Sequence, residues 1–189
     1  MRFPDKRKVS LLVALLAVVS LTLTTVAPAA YAQAATPSGP AKNVILLIGD
    51  GMGYGQLTLG RIVKGSALTM DNFVYNGTVA THHDDPTEKW VTDSAAAATA
   101  IATGAKTFRG AIGVDVNKKS VKTILEIAQE NGKATGLVTT TRVTHATPAA
   151  FAAHVEERGG EGDIAIDLLD HKINVLFGGG KSYFLPKDQ

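Results

Sequence analysis

The sequence predicts an α/β fold, a three-layer sandwich whose mostly parallel central sheet is covered by helices on both faces. Continuous apolar runs at Asn43–Ile48 and Ile173–Phe177 are typical of buried parallel strands, because such strands have no solvent-facing side. A third, short strand is predicted at Gly136–Thr139. Segments with helical patterns separate the three strands, and this alternation indicates parallel pairing through helical crossovers.

Residues 1–34 have the layout of a secretory signal peptide. A basic start of net charge +3 over eight residues precedes the unbroken apolar run Leu11–Val19, and A-x-A motifs place cleavage after Ala32 or Ala34. We therefore expect a secreted or extracytoplasmic protein, in the periplasm or cell envelope. The alternative is a retained membrane anchor. The apolar run is shorter than the ~20 residues that a span needs, so no stable membrane span is expected after cleavage.

Charge and composition narrow the range of partners. The 189 residues carry a net charge of +2, but outside the first eight residues 15 basic side chains stand against 16 acidic ones. The basic character belongs to the leader, so no nucleic-acid partner is expected. The absence of cysteine excludes a disulfide scaffold, a cysteine nucleophile and thiolate metal sites. Residues 35–41 are predicted to be a linker rich in Pro, Ser and Gly, and the folded part begins at Lys42.

Helices are predicted from apolar periodicity and from end signals. The first, Gln56–Lys64, follows the first strand. Ser94–Thr103 is rich in alanine and is followed by a glycine, which is typical of a helix end. Val121–Asn131 is amphipathic and is also followed by a glycine.

Two further helices are predicted in the last third of the chain. Thr147 followed by a proline has the pattern of an N-cap residue and a first helical position, which predicts a helix to about Arg158. Ile164–Asp170 is predicted to be another helix, before the last strand.

The first candidate for chemistry is Asp50, in the sequence Gly-Asp-Gly-Met-Gly directly after the first predicted strand. Ligands bind outside the carboxyl ends of strands in open α/β sheets, so this carboxylate is well placed to hold a metal ion. A dinucleotide-binding loop is a weaker interpretation, because the spacing is not G-x-G-x-x-G. The third interpretation is a glycine-rich turn in which the aspartate acts only as a cap.

The second candidate is Ser94, at the predicted start of a helix. Unpaired N–H groups and the positive end of the helix dipole favour an anion there. The simpler interpretation is that Ser94 only caps the helix. As a nucleophile the hydroxyl needs a base or a metal, and because no histidine stands beside it in sequence, a metal-coordinated alkoxide is the sharper hypothesis.

The third candidate is the set of His145, Thr147 and Arg158. The first two side chains could reach a cation, and the guanidinium has the planar fork that suits phosphate. The alternatives are a loop histidine, an N-cap threonine and a solvated helix arginine.

These three segments together resemble the bacterial alkaline phosphatase family. Val91–Thr107 is similar to the family's nucleophile signature, and Asn43–Gly53 is similar to its first strand and metal loop. His145–Arg158 is similar to its third-metal segment and phosphate-binding arginine. The resemblance runs in order from Lys42 to Pro186.

The resemblance implies metal-dependent hydrolysis of phosphate monoesters through a phosphoserine intermediate at Ser94. It implies that Asp50 bridges one zinc and a third, magnesium-type site, that Thr147 ligates the third metal, and that the Ser94 oxygen also meets metal. Arg158 would clamp two phosphate oxygens, with Asp93 holding Arg158 in position. The complete family site contains two Zn²⁺ ions and the third metal, expected to be Mg²⁺.

The chain departs from the family pattern in two ways. His145 stands where some members have aspartate, and because imidazole suits zinc or cobalt better than magnesium, Co²⁺ or Zn²⁺ is an alternative third metal. The other family ligands, two Asp-plus-His groupings, a further His and a Glu, come from later in the chain. Residues 42–189 are therefore expected to be the N-terminal part of the domain, with an incomplete sheet, exposed apolar surface and little or no activity alone.

Two other functions remain open. One is a secreted, non-catalytic phosphate-binding fragment, and the other is a relative that resembles phosphodiesterases or sulfatases; the pairing of Asp93 and Ser94 with Arg158 favours the monoesterase. A homodimer is compatible with the full-length form. Four polar residues match no family position and are expected to be solvated: His82, His83, Asp84 and Asp85.

Overall fold

The computed structural model describes residues 39–85, 87 and 90–186. The predicted signal peptide, residues 1–34, lies outside this range, as do residues 35–38 of the predicted linker. The described chain divides into two compact units, one with residues 39–47 and 58–76 and the other with residues 48–57 and the described residues from 77 onward. Within the described residues, no helix is long and apolar enough to cross a bilayer.

The first unit contains most of helix α1 and a short 3₁₀ helix. Helix α1 spans Tyr54–Lys64, two residues longer than predicted, and the 3₁₀ helix spans Thr69–Asn72. Arg61 Nε donates to Asp71 Oδ2 at 2.9 Å. This hydrogen bond is the main cause that lowers the pKa of Asp71 to about 2. The ion pair therefore ties α1 to the 3₁₀ helix.

Residues 43–48, predicted to be a buried strand, form no strand. Their apolar side chains are exposed, Ile45 by 86% and Leu47 by 85%. A strand needs a neighbour to pair its backbone N–H and C=O groups, and among the described residues no strand pairs with this run. The apolar pattern indicates that the segment suits a buried strand, but it does not show whether a neighbouring strand is there to pair with it. The prediction of a strand at residues 43–48 was therefore wrong.

Helix α2 spans Ser94–Thr103, as predicted. The Asp93 side chain caps it by accepting from the Ala96 N–H at 3.0 Å. At the other end Gly104 has φ +76°, the left-handed conformation that glycine adopts at low cost, and its N–H donates to the Ala100 carbonyl. The cap is thus the residue before Ser94, and Ser94 is the first residue of the helix itself.

Helix α3 spans Ile124–Glu130, shorter than the predicted Val121–Asn131. A capping box sets its start: the Thr123 hydroxyl accepts from the Glu126 N–H at 3.2 Å, and a Glu126 carboxylate oxygen accepts from the Thr123 N–H at 2.6 Å. The buried Thr123 hydroxyl also donates to the Phe151 carbonyl. This contact anchors the helix start to the core.

The sheet in the described residues has two parallel strands, β1 at Gly136–Arg142 and β2 at Val175–Gly179. Gly136 pairs with Val175, and the register continues for two more residues on each strand. The predicted parallel pairing is therefore confirmed. The predicted burial is not, because Phe177 is exposed by 66% and most β1 side chains are also exposed.

Between the two strands lie helices α4, Ala146–Ala149, and α5, Glu161–Asp170. The single helix predicted from Thr147 to Arg158 is wrong. The chain leaves the helical conformation because Val155 forms a two-way backbone bridge with Ile112, with both N···O distances 2.9 Å. Arg158 consequently lies in a turn.

The core of the second unit is built largely from small side chains. α2 packs against α4, and alanine allows the two backbones to approach closely. This packing brings the first turn of α2 next to α4, which positions the site described below. The fully buried members of the core are Ala95, Ala102, Ile112, Ala149, Ala150, Ala152, Ala153 and Ile164.

Candidate active site

The site is centred on the carboxylate of Asp50. Asp50 lies in a turn closed by the Met52 N–H donating to the Gly49 carbonyl at 3.1 Å, and Gly51 adopts φ +67°. Ser94 Oγ donates to Asp50, 3.0 Å from each of its two oxygens. Thr147 Oγ1 also donates to Asp50, at 2.8 Å. Three predicted metal-site residues, distant in sequence, are therefore brought together.

Helix α2 places the Ser94 hydroxyl where it can serve chemistry. Because Asp93 caps the helix, the Ser94 side chain is not needed for capping, and the interpretation of Ser94 as a cap is wrong. Similarly, Thr147 directs its hydroxyl at Asp50 and does not cap α4, whose N-cap residue is His145. Both hydroxyls are exposed enough to meet a ligand in the turn that carries Asp50.

Arg158 is held by Asp93, as predicted. Its Nη1 donates to Asp93 Oδ2 at 2.9 Å. Burial raises the pKa of the Asp93 carboxyl, but hydrogen bonds from the Ala96 and Gly110 N–H groups and from Arg158 outweigh burial, so the pKa lies below its ordinary value. Asp93 is therefore a carboxylate at neutral pH, and it links the start of α2 to the guanidinium.

Gly110 is a positioning residue that the sequence reasoning missed. Its N–H lies 3.3 Å from both Asp93 carboxylate oxygens, and its carbonyl accepts from the Arg158 backbone N–H at 2.8 Å. The loop thus holds both members of the ion pair. Its φ of +86° favours glycine, but an isolated glycine in a loop carries no distinctive sequence signal.

His145 lies beside Arg158, with 3.2 Å between His145 Nε2 and Arg158 Nη2. Because a guanidinium can only donate, Nε2 is the acceptor in this hydrogen bond. The ring therefore supports the arginine in this structure, while Ser94 and Thr147 contact Asp50. Its predicted role as a metal ligand stays a prediction.

The histidine and aspartate residues at 82–85 do not all behave as expected. His83 is 2% exposed, so its predicted solvation is wrong, and its Nδ1 accepts from the Asp85 N–H at 3.2 Å. His82 is exposed, and its Nε2 contacts Lys106 Nζ. Two histidines followed by two aspartates look like a solvated loop in the sequence, because no local pattern shows that the His83 side chain is buried.

The donor set around Asp50 suits a hard divalent cation. A carboxylate and two hydroxyl oxygens converge within hydrogen-bonding distance, and oxygen is the ligand that Mg²⁺ prefers. Next to this set, the N-terminus of α2 and the Arg158 guanidinium supply positive character suited to a phosphate-like anion. The residues present therefore fit a cation and an oxyanion held side by side.

The fold and this site define an α/β protein with a serine, a carboxylate and an arginine assembled at a helix N-terminus. The sequence model of the alkaline phosphatase family matches residues 41–189, and the chain belongs to that family.

Named relatives agree with this membership. The chain is 50% identical over 161 residues to alkaline phosphatase 4 of Bacillus subtilis, covering 78% of this chain and 35% of that protein. It is 42% identical over 172 residues to the alkaline phosphatase of Escherichia coli, covering 77% and 36%. The chain thus spans about a third of the length of these relatives.

Solved structures give the same result. The alkaline phosphatase of the Antarctic bacterium TAB5 superposes with a TM-score of 0.68 at 39% identity, covering 74% of this chain and 40% of that one. A histidine-to-aspartate variant of the TAB5 enzyme, with Mg bound in its M3 site, superposes equally well. The α/β fold predicted from the sequence is therefore confirmed.

Proposed function

We propose that the full-length protein carrying this chain hydrolyses phosphate monoesters in a metal-dependent reaction that passes through a phosphoserine at Ser94. The observation that carries the proposal is the convergence at the start of α2. There the Ser94 hydroxyl meets both oxygens of Asp50, and the adjacent Asp93 holds Arg158. Membership of the alkaline phosphatase family supports the same reaction.

Asp50, Thr147 and Ser94 would hold divalent cations through their oxygens. Mg²⁺ is proposed for the third site, with Co²⁺ or Zn²⁺ as the alternative in which His145 turns towards the cation. The two Zn²⁺ ions of the complete family site would take their other ligands from the rest of the full-length protein. When bound, such cations stabilise negative charge on the attacking and leaving oxygens as Lewis acids.

The chain's own residues supply the nucleophile and the phosphate clamp. Ser94 Oγ gives its proton to solvent and bonds to phosphorus while the bond from phosphorus to the leaving oxygen breaks; the leaving oxygen keeps the electron pair and takes a proton from solvent. The oxygen of a water molecule then bonds to phosphorus while the bond from phosphorus to Ser94 Oγ breaks, Ser94 Oγ keeps the electron pair, and the proton that the water loses returns to it. The remaining N–H groups of Arg158 and the first N–H groups of α2 stabilise the charge on the other phosphoryl oxygens.

The cellular location of the reaction is inferred from residues 1–34. We propose export by the 1–34 signal peptide and hydrolysis outside the cytoplasm, with many monoesters accepted because Arg158 and α2 contact only the phosphoryl group. The 189-residue polypeptide alone is proposed to be poorly active or inactive, and the full-length form is proposed to be a homodimer.

Turnover of p-nitrophenyl phosphate by the full-length protein, with Zn²⁺ and Mg²⁺ supplied, tests the proposal. Ser94→Ala is expected to reduce kcat by about 10³-fold or more, because the covalent route is lost while Arg158 still binds phosphate. The matched control is Ser66→Ala, at an exposed serine outside the site, which is expected to leave kcat unchanged. Equal kcat for the Ser94→Ala and Ser66→Ala variants would contradict the nucleophile. Faster turnover of bis-p-nitrophenyl phosphate than of the monoester would indicate a phosphodiesterase.

A further inference from the structure

A second group of potential metal ligands lies outside the Asp50 site. It consists of Glu126 on α3, His154 after α4, and His171, the C-cap residue of α5. One ligand atom from each residue lies within 4.8 Å of the other two. All three side chains are partly buried, with exposed fractions of 17%, 16% and 25% respectively. We call this group the Glu126 cluster.

The hydrogen bonds around the cluster leave His154 Nε2 and Glu126 Oε1 facing each other. His154 Nδ1 lies 2.7 Å from the Gly113 carbonyl, and because a carbonyl only accepts, Nδ1 carries the proton. In the neutral ring, Nε2 then presents a lone pair to Glu126 Oε1 at 3.2 Å. Two acceptors that face each other need a proton or a cation between them. Histidine ligands of metals commonly have this arrangement, with the other ring N–H held by a backbone carbonyl.

The remaining groups are also held in place. Glu126 Oε2 accepts from the Thr123 N–H, so Oε1 is the oxygen left for the cluster, and His171 Nε2 lies 3.8 Å from it. The His171 backbone carbonyl accepts from Gln129 Nε2 at 2.7 Å, which fixes the end of α5 against α3.

From this geometry we propose that Glu126, His154 and His171 form a second metal site. The site would take a divalent cation from the end of the first transition row, with Zn²⁺ preferred and water as the fourth ligand. Two imidazole nitrogens and a carboxylate oxygen are ligands that zinc prefers. Tetrahedral coordination at the usual bond lengths separates ligand atoms by about 3.4 Å. The observed separations of 3.2 and 3.8 Å need only small side-chain adjustments to reach it.

The site would act as a structural clamp. Its ligands come from three separate segments of the second unit, so a bound ion would join α3, the loop after α4 and the end of α5. A ligand that binds only the folded chain stabilises it by mass action. The proposal does not rest on the phosphatase function, because it uses none of the residues around Asp50.

The test uses the full 189-residue chain with the Asp50 site disabled by Asp50→Asn. Zn²⁺ alone is added, and bound metal is counted by equilibrium dialysis with elemental analysis. The melting temperature is measured in parallel. We expect one retained Zn²⁺ and a rise in melting temperature of about 5 °C or more at a hundred times the Kd. Co²⁺ substitution is expected to give the intense visible bands of a tetrahedral site.

His171→Gln, added to the Asp50→Asn chain, removes one imidazole and keeps the backbone carbonyl that holds α5. This variant is expected to lose the bound Zn²⁺ and the rise in melting temperature. The matched control, His82→Gln in the same background, removes an exposed histidine outside the cluster and is expected to keep both. Retention of Zn²⁺ in the His171→Gln variant, or no binding by the Asp50→Asn chain, would overturn the proposal and leave the Glu126–His154 contact as an ion pair.

Discussion

Asp93 performs two tasks that substitution can separate. Its carboxylate caps α2 through the Ala96 N–H and holds Arg158 through a 2.9 Å charged hydrogen bond. Asp93→Asn keeps an oxygen for the cap, since asparagine caps helices as well as aspartate, but the amide has no charge for the guanidinium. Asp93→Ala removes both interactions.

The magnitudes follow from these contacts. Loss of the cap costs about 1 kcal/mol. Loss of the charged hydrogen bond costs about 1.5 kcal/mol, at the low end of the range because the Arg158 side chain is 29% exposed and can be rehydrated. Urea unfolding is therefore expected to show a loss of about 1.5 kcal/mol for Asp93→Asn and about 2.5 kcal/mol for Asp93→Ala.

A double-mutant cycle of Asp93→Asn with Arg158→Gln isolates the pair, and its coupling energy is expected to be near 1 kcal/mol or above. The pH dependence has a definite sign. Because the pKa of Asp93 is lowered by folding, the stabilisation is present above the unfolded value of about 3.9 and is lost as the pH falls through the folded pKa. Equal losses for the Asn and Ala variants, or a coupling energy of zero, would refute the two-task reasoning.

Three further predictions concern the scaffold. Thr123→Ala breaks the capping box and orphans a buried carbonyl, so urea unfolding should show a loss of about 2–3 kcal/mol, with Thr123→Ser as the control that keeps the hydroxyl. Gly113→Ala should destabilise far more than Gly132→Ala in thermal melts, because both glycines have positive φ but only a Cβ at 113 would overlap a backbone atom, the Ala153 carbonyl oxygen; similar melting temperatures would refute the steric argument. The Arg142 hydrogen bond lowers the pKa of Glu161, so Arg142→Gln should reduce the stability measured by urea unfolding at pH 7, and the difference from the unchanged chain should disappear as the pH falls through the lowered pKa of Glu161; a difference that persists at low pH would exclude the ion pair as its source.

The sequence predicted those parts of the fold whose signals are local. Helix α2 was predicted to the residue because its alanine-rich composition and the glycine after it are local signals that need no tertiary partner, whereas the capping role of Asp93 emerged only from the structure. The helix predicted to reach Arg158 failed because the Val155–Ile112 bridge is non-local and competes with helical hydrogen bonds. The exposed run at 43–48 failed for a similar reason, since strand formation depends on a neighbour.

The residues proposed for the candidate site could be named from the sequence, but the contacts between them and the neighbouring backbone were harder to predict. Asp50, Ser94, Thr147 and the Asp93–Arg158 pair were all predicted, and the structure brings the first three together. The link through Gly110 and the burial of His83 depend on which backbone groups lie nearby. Such contacts leave no pattern in the chain.

The central claim, that Ser94 carries the phosphoryl group, is tested most directly by trapping the intermediate. The full-length protein would be incubated with a phosphate monoester in the presence of Zn²⁺ and Mg²⁺, quenched in acid, digested and examined by mass spectrometry. The account predicts one added phosphoryl group on the peptide that contains Ser94, and none in the Ser94→Ala variant. Turnover without any phosphorylated peptide under these conditions, or a phosphoryl group on another residue that persists in the variant, would contradict it.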